Sequence, residues 1–235
     1  MYSLFLKRII RNKWVLVKIF IFSPILNILP ILLTSENFMS VTFEKILNLC
    51  IWTYMYFVVF ECLNMNISCI SNGKIYDIVS SRVGVYRNSH YQKLALMSAF
   101  LLSYLYSLFG YSLIFHLKID YLLLLITTKC MFIFTFVICD LTLFLELRFK
   151  SYFNKFNFVM NILFITSGVL YTLEVVPNFI RVLSYINPLT FVFDYVYSKS
   201  IMSIYIFLLL TILLQVVLRL LVISALYRTK RYDIK

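Results

Sequence analysis

Long runs of residues without a charged side chain are the feature that most limits how this chain can fold. Leu94–Leu117 and Ile201–Leu218 contain no Asp, Glu, Lys or Arg. A helix needs roughly 20 apolar residues to cross the hydrocarbon core of a bilayer. Of the 235 residues, 62% are hydrophobic and 14% are charged, whereas a soluble domain carries about 25% charged residues. The sequence therefore predicts one integral membrane domain over residues 1–235.

Six apolar segments are candidate membrane-spanning helices. Each is continuous instead of alternating every second residue, which favours helices over the strands of a membrane barrel. The predicted fold class is therefore an all-α integral membrane protein with six transmembrane helices. Pro24 and Pro30 predict a kink in the first of them. The predicted spans are Trp14–Leu33, Ile46–Ile70, Leu94–His116, Tyr121–Leu145, Phe156–Leu173 and Ile201–Tyr227.

The distribution of basic residues predicts the orientation of these spans. With the N-terminus inside, the cytoplasmic segments hold sixteen Lys and Arg residues, and the outer segments hold only four. Cytoplasmic loops carry an excess of Lys and Arg, so both termini are expected in the cytoplasm of a multi-pass plasma-membrane protein. The net charge of +12 then reflects topology and attraction to anionic membrane lipid. Nucleic acid is not an expected partner, because the basic residues form no patch on a soluble fold.

The sequence contains no motif of a metal site or of an intramembrane enzyme. None of its cysteines forms a C-x-x-C pair, and His90 and His116 are isolated from Cys and carboxylates at ligand spacing. Paired catalytic residues such as H-E-x-x-H are also missing from the sequence. We therefore expect no enzyme activity and no metal or cofactor bound by this chain. The cysteines expected to be buried apolar residues are Cys50, Cys62, Cys69, Cys130 and Cys139.

Residues 1–13 show the pattern of a short helix at the membrane interface. Apolar side chains recur at helical spacing, and basic side chains fall on the other side. This pattern favours an interfacial helix over a charged flank without fixed structure. The apolar positions are Tyr2, Phe5, Leu6 and Ile9, and the basic positions are Lys7, Arg8 and Arg11.

The cytoplasmic connection 71–93 also contains a predicted short helix. Asn72 is a plausible N-cap, and Ile75, Ile78 and Val79 fall at i, i+3 and i+4, which gives the helix one apolar edge. Such a helix could anchor a partner protein or lie on lipid. The residues alone leave both interpretations open.

The outer connection 174–200 is too apolar for a solvated loop. Pro177, Asn187 and Pro188 divide it into two short helical pieces, with Asn187 as a cap and Pro188 at the first helical position. Two short helices that dip into the outer leaflet and return are expected here. Because broken helices at membrane depth need protein or a cavity to cover their backbone, the segment is a candidate wall or gate of a pathway.

Four ionisable residues fall inside the predicted spans: Glu61, Lys129, Asp140 and Arg219. Such residues are energetically costly in a membrane and tend to be functional. Glu61, Asp140 and Arg219 are expected toward the cytoplasmic side. They could line an entrance, but an ion pair of Arg219 with Asp140 or Glu61 between helices is the favoured interpretation. Lys129 must pair, extend to the interface or face a cavity.

The two connections together resemble a known family of transporters. Val176–Thr190 is similar to the signature of type-2 ABC exporter permeases, in which N-P-[LV]-[TS] follows a Pro and apolar residues between the fifth and sixth spans. Gly73–Ser81 resembles the coupling region G-T-[IL]-x-x-[IL]-L-x-[ST]-P of that family, with Lys74 at the usual Thr and Arg82 at the usual Pro. The six spans, the interfacial helix and the cytoplasmic termini agree with the layout of the family.

The resemblance implies that this chain works with other subunits. In the family, two permeases, identical or paralogous, form the pathway, and separate ATP-binding subunits dock beneath them. The chain has no G-x-x-x-x-G-K-[ST] loop and only four glycines, so ATP and Mg²⁺ are expected on the partner. The resemblance assigns coupling to the ATPase to Gly73, Lys74, Ile75, Tyr76, Ile78, Val79 and Arg82, and an extracellular gate to Pro177, Asn187, Pro188, Leu189 and Thr190.

The implied function is export of a drug-like, lipid-like or peptide substrate. A permease for polysaccharides or lipid-linked glycans is an alternative, since it would share this layout. A membrane assembly scaffold is an alternative from another class, but a scaffold would not require the broken segment 174–200.

Overall fold

The computed structural model describes residues 2–27, 41–71, 84–148, 152–169 and 177–232. Within these ranges the chain forms helices and no strands. A π-helical turn at Lys18–Phe22 continues α2, and residues 23–27 remain helical. The helices are α1 (Tyr2–Arg11), α2 (Lys13–Val17), α3 (Phe43–Ser71), α4 (Gly84–Ile114), α5 (Tyr121–Arg148), α6 (Tyr152–Ser167), α7 (Asn178–Ser184), α8 (Pro188–Ser198) and α9 (Ile201–Tyr232).

Four of the described helices are long and apolar enough to cross a membrane. They contain the segments Phe43–Ile67, Arg87–Ile114, Tyr121–Leu145 and Ile201–Ala225. These segments overlap the second, third, fourth and sixth predicted spans, so the prediction of helices long and apolar enough to cross a membrane is confirmed for these four. In the regions of the first and fifth predicted spans, the described residues are also helical, over 13–27 and 152–167.

Helix α3 is the centre of the bundle, and α9 lies at its periphery. α3 packs against α4, α5 and α8, whereas α9 packs against α5 and α8. In the most apolar part of α3, 83% of the residues are buried, against 22% in α9. An apolar helix that is mostly exposed in a protein of this kind is suited to contact lipid or another chain.

Aromatic side chains hold α3 against its neighbours. The Tyr54 ring lies edge-on to Tyr104 of α4 and Phe132 of α5, with centroid distances of 5.9 and 5.7 Å. Phe57 stacks on Phe100 at 5.9 Å. The buried Tyr54 hydroxyl donates to the Met97 carbonyl at 3.0 Å, so its polar end is satisfied within an apolar core.

The first turns of the chain pack along α4. Ser103 Oγ donates to the Ile19 carbonyl at 2.7 Å, and the Tyr111 hydroxyl donates to the Pro24 carbonyl. The π-helical turn ends at Phe22, two residues before Pro24, which has no N–H to donate, and such turns are a known cause of bending. Two side chains of α4 therefore hold the backbone where the helix is irregular.

Candidate functional site

The main candidate site is a set of buried and half-buried polar side chains between helices, here called the polar layer. It lies toward the C-terminal ends of α3 and α5 and near the N-terminal end of α4. It is therefore at the end of the bundle where the chain passes from α3 to α4. Buried polar groups are costly unless they are paired, which makes their contacts informative. The layer consists of Lys18, Glu61, Asn66, Gln92, Lys93, Asp140, Thr142 and Gln215.

The ion pair of Lys93 and Asp140 is the most buried part of the polar layer. The two side chains are 1% and 4% exposed. Gln215 Nε2 of α9 donates to the second carboxylate oxygen of Asp140 at 3.0 Å, and the Lys93 ammonium lies 4.7 Å from the centre of the Phe136 ring. One carboxylate thus links α4, α5 and α9.

A second ion pair joins the N-terminal region to α3. Lys18, in the π-helical turn, donates to Glu61, and its ammonium lies 4.9 Å from the centre of the Phe60 ring. The side chains of Lys18 and Glu61 are 24% and 7% exposed. The Glu61 side chain is therefore better shielded from solvent than the Lys18 side chain.

Neutral side chains extend the polar layer between α3, α4 and α5. Gln92 Nε2 donates to Asn66 Oδ1 at 3.2 Å, and Asn66 Nδ2 donates to Thr142 Oγ1 at 3.0 Å. Thr142 Oγ1 donates to the Cys139 carbonyl at 2.8 Å. These bonds run in series across three helices, and such networks strengthen one another in a low-dielectric interior.

Four of the five cysteines are buried as the sequence predicts, and the side chain of Cys69 lies outside the described part of the structure. Cys50, Cys62, Cys130 and Cys139 are buried and form no disulfide. Cys62 lies beside the polar layer, with its sulfur 3.6 Å from Thr142 Oγ1. Among the described residues, no group of three or more His, Cys, Asp and Glu side chains is arranged to hold a metal ion.

The expected pairing of Arg219 with Glu61 or Asp140 is wrong. Both carboxylates pair with lysines instead, and the ion pairs of the described ranges include neither Arg219 nor Lys129. The side chains of Lys129 on α5 and Arg219 on α9 are exposed. Arg219 lies one helical turn beyond Gln215, and that neutral side chain takes the position beside Asp140.

Two lysines of the polar layer were not recognised as site residues from sequence. Lys93 was assigned to the connection 71–93, but α4 begins at Gly84, so Lys93 lies more than two turns inside a helix. The count of basic residues that predicts the orientation includes Lys18 in the N-terminal cytoplasmic flank. The available signal was that Lys18 interrupts an apolar run and that Lys93 directly precedes one.

A second candidate site is the junction between α6 and α8, here called the outer junction. Asn187 Oδ1 accepts from the Leu189 N–H at 3.1 Å and caps α8, with Pro188 at the first helical position. The same side chain donates through Nδ2 to the Leu163 carbonyl at 3.0 Å and to Thr166 Oγ1 at 2.9 Å. A single amide therefore begins one helix and holds the end of another.

Thr190 completes the outer junction. Its hydroxyl donates to the Thr166 carbonyl at 2.9 Å. This carbonyl lies in the last turn of α6, where carbonyls have no partner within the helix. Helix α6 ends at Ser167, and Gly168 follows with φ of 74°, the left-handed conformation that glycine adopts readily at helix ends. The Asn-Pro-Leu-Thr residues thus satisfy both helix termini at once.

The other predicted gate residues differ in their exposure to solvent. Pro188, Leu189 and Thr190 are buried, whereas Pro177 is exposed before α7. The two short helices α7 and α8 lie in the connection 174–200, and Phe179, Val182 and Ile186 around α7 are exposed. The coupling residues Gly73, Lys74, Ile75, Tyr76, Ile78, Val79 and Arg82 lie outside the described residues.

An exposed ion pair joins the start of α5 to the turn after α8. Asp120 Oδ1 accepts from the Leu123 N–H at 3.1 Å, and Oδ2 accepts from Lys199 Nζ at 3.0 Å. These two contacts, the backbone N–H first, hold the pKa of Asp120 below its usual 3.8. Asp120 in turn raises the pKa of Lys199. Lys199 has φ of 54° and ends α8 in the left-handed conformation.

The pair of Asp120 and Lys199 predicts a small stabilisation that is lost in acid. Because the pKa of Asp120 is lowered in the folded protein, the contribution is present above pH 3.8 and disappears as pH falls below it. Asp120→Asn keeps the helix cap but loses the ion pair. The thermal midpoints of wild type and Asp120→Asn are expected to differ slightly at pH 6 and to converge as the pH approaches 3. A difference that grows in acid would contradict this assignment.

No protein-family model matches this chain, and the comparison with curated proteins gives no match.

Proposed function

We propose that this chain is the transmembrane subunit of an ATP-driven exporter of the type-2 ABC class. The outer junction is the observation that supports this most. The resemblance places N-P-[LV]-[TS] between the last two spans, and here Asn187 and Thr190 of that motif bind the end of α6. A motif that joins two helix ends in this way can hold an exit closed or let it open as a unit.

In the proposed topology, the chain crosses the plasma membrane six times, with both termini in the cytoplasm. The four long helices supply four crossings. The helical residues 13–27 and helix α6 would begin the other two. The outer junction then lies at the extracellular side, and the polar layer lies toward the cytoplasmic side, where Lys and Arg predominate.

In the proposed mechanism, ATP hydrolysis by a partner subunit supplies the energy for export. An ATP-binding subunit, carrying ATP and Mg²⁺, would dock at residues 73–82, which join α3 to α4. Movement of that connection would act first on the polar layer, because Gln92 and Lys93 lie on α4 close to it. Their bonds to α3 and α5 would transmit the movement to the bundle as a rigid-body shift. A second permease, identical or paralogous, would complete the pathway for a drug-like, lipid-like or peptide substrate.

Co-purification tests the proposal directly. An ATPase subunit is expected to co-purify with the tagged chain in mild detergent and to hydrolyse ATP. Ile75→Ala combined with Ile78→Ala is expected to reduce both its recovery and its ATPase rate at least tenfold, because the apolar edge of the coupling segment is removed. Ile212→Ala combined with Leu220→Ala, at two exposed positions of α9, is a control that also replaces two branched aliphatic side chains with alanine.

Three outcomes would contradict the exporter proposal. The first is recovery of the intact chain without any ATP-binding subunit. The second is that the Ile75 and Ile78 variant retains the same ATPase rate and export as the Ile212 and Leu220 control. Equal loss in both variants would also contradict it, since the effect would not then belong to the coupling segment.

A further inference from the structure

Helix α1 has one side attached to the bundle. Ile9 is 2% exposed, and Phe5 and Leu6 pack against the core. The Tyr2 hydroxyl hydrogen-bonds Ser98 Oγ of α4 at 2.7 Å. These contacts fix α1 beside a membrane-spanning helix, so the side chains on its other side face away from the bundle.

The other side of α1 is basic, and the neighbouring sequence provides no acid to neutralise it. The side chains of Lys7 and Arg11 on α1 and of Lys13 at the start of α2 are exposed, and the three are here called the basic face. Residues 2–27 contain no Asp or Glu. Lys7 and Arg11 stand at i and i+4, where like charges repel and destabilise a helix. An external anion would relieve this repulsion.

Large apolar side chains accompany the basic face. Leu4, Ile10 and Trp14 are 68%, 55% and 71% exposed. A helix that exposes cations together with Trp and aliphatic residues is typical of the boundary between headgroups and acyl chains. A free phosphate ion would neutralise the cations but would leave the apolar side chains in water. A phospholipid satisfies both.

We propose that the basic face formed by α1 and the start of α2 binds the headgroups of anionic phospholipids in the adjoining leaflet. Lys7, Arg11 and Lys13 would contact the phosphates, and Ile10 and Trp14 would lie among the upper acyl chains. The membrane position of α1 would then depend on the fraction of anionic lipid. This inference stands independently of the proposed export function, because it rests on α1 and not on the outer junction.

Fluorescence quenching by brominated lipid tests the proposal on the full-length chain. The sequence has two tryptophans, so Trp52→Phe leaves Trp14 as the sole reporter. Nanodiscs would contain either brominated phosphatidylglycerol or brominated phosphatidylcholine at the same mole fraction. Trp14 is expected to be quenched more by the anionic lipid. At low salt, Lys7→Gln and Arg11→Gln should each lower, about fivefold, the ratio of the association constant for brominated phosphatidylglycerol to that for brominated phosphatidylcholine.

Controls make the outcome specific to α1. Lys118→Gln neutralises an exposed lysine elsewhere and is expected to leave the preference unchanged. Raising the salt concentration should weaken the preference, because exposed charges are screened. Equal quenching by both lipids would overturn the proposal, as would the absence of quenching by either. Loss of the preference when a co-purified subunit is added would assign this face to protein instead and would also overturn it.

Discussion

Asp140→Ala is expected to lower the midpoint of thermal unfolding by roughly 10 °C, the largest effect of any single substitution proposed here. The substitution leaves the Lys93 ammonium, which is 1% exposed, without a counterion. Removing one partner of a buried ion pair costs about 3–5 kcal/mol, because the other charge remains desolvated. Gln215 Nε2 loses its acceptor at the same time.

The native cysteines provide the measurement. Because Cys50, Cys62, Cys130 and Cys139 are buried, a thiol-reactive fluorescent dye reports unfolding in detergent as they become accessible. The double variant Lys93→Met with Asp140→Leu removes both charges and is expected to recover most of the lost stability. Asp120→Asn is the exposed counterpart and should change the midpoint little. If Asp140→Ala and the double variant unfold at the same temperature, the buried pair is not the source of the effect.

Much of the bundle was predictable, because span length is set by the thickness of the bilayer. The uncharged run Leu94–Leu117 cannot be accommodated as a loop, and it forms most of α4. The run Ile201–Leu218 likewise lies within α9. These predictions needed only the number of consecutive apolar residues and the roughly 20-residue requirement.

The partners of the buried carboxylates were not predictable in the same way. Glu61 and Asp140 were identified as costly residues, but their counterions depend on which helices are neighbours. Arg219 is an expected counterion because it lies inside a predicted span, whereas Lys93 lies just before the predicted span that starts at Leu94. Because a charged residue next to an apolar run is typical of a loop, Lys93 resembled a loop residue. Burial beside Phe136 and Asp140 is a property of the packed bundle.

At the outer junction, too, the local structure was predictable from the sequence and the contacts between helices were not. Asn187 followed by Pro188 predicts a capped helix from local rules alone, and α8 begins there. The bonds from Asn187 to Leu163 and Thr166 could not be predicted, because a capping rule concerns only the helix that is capped. That α6 ends against this motif depends on tertiary packing.

Asn187→Ser is expected to separate the two roles of Asn187 and to lower the unfolding free energy by about 2 kcal/mol. Serine caps helices nearly as well as asparagine, so α8 should still begin at Pro188. The two bonds donated by Nδ2 to Leu163 and Thr166 would be lost. Hydrogen exchange should therefore accelerate in the last turn of α6, while the Leu189 N–H remains protected.

The neighbouring Thr190 provides a matched pair of variants for the same junction. Thr190→Ser keeps the hydroxyl that donates to the Thr166 carbonyl, whereas Thr190→Val keeps the shape and loses the donor. Thr190→Val is expected to cost about 1–2 kcal/mol more than Thr190→Ser, because a buried carbonyl loses its partner. Combined with Asn187→Ser, it should uncouple α6 from α8 and lower the thermal midpoint by roughly 10 °C. If the Val and Ser variants were equally stable and α6 exchanged no faster, the motif would serve α8 alone, and the outer junction would lose its role as a link between the two helices.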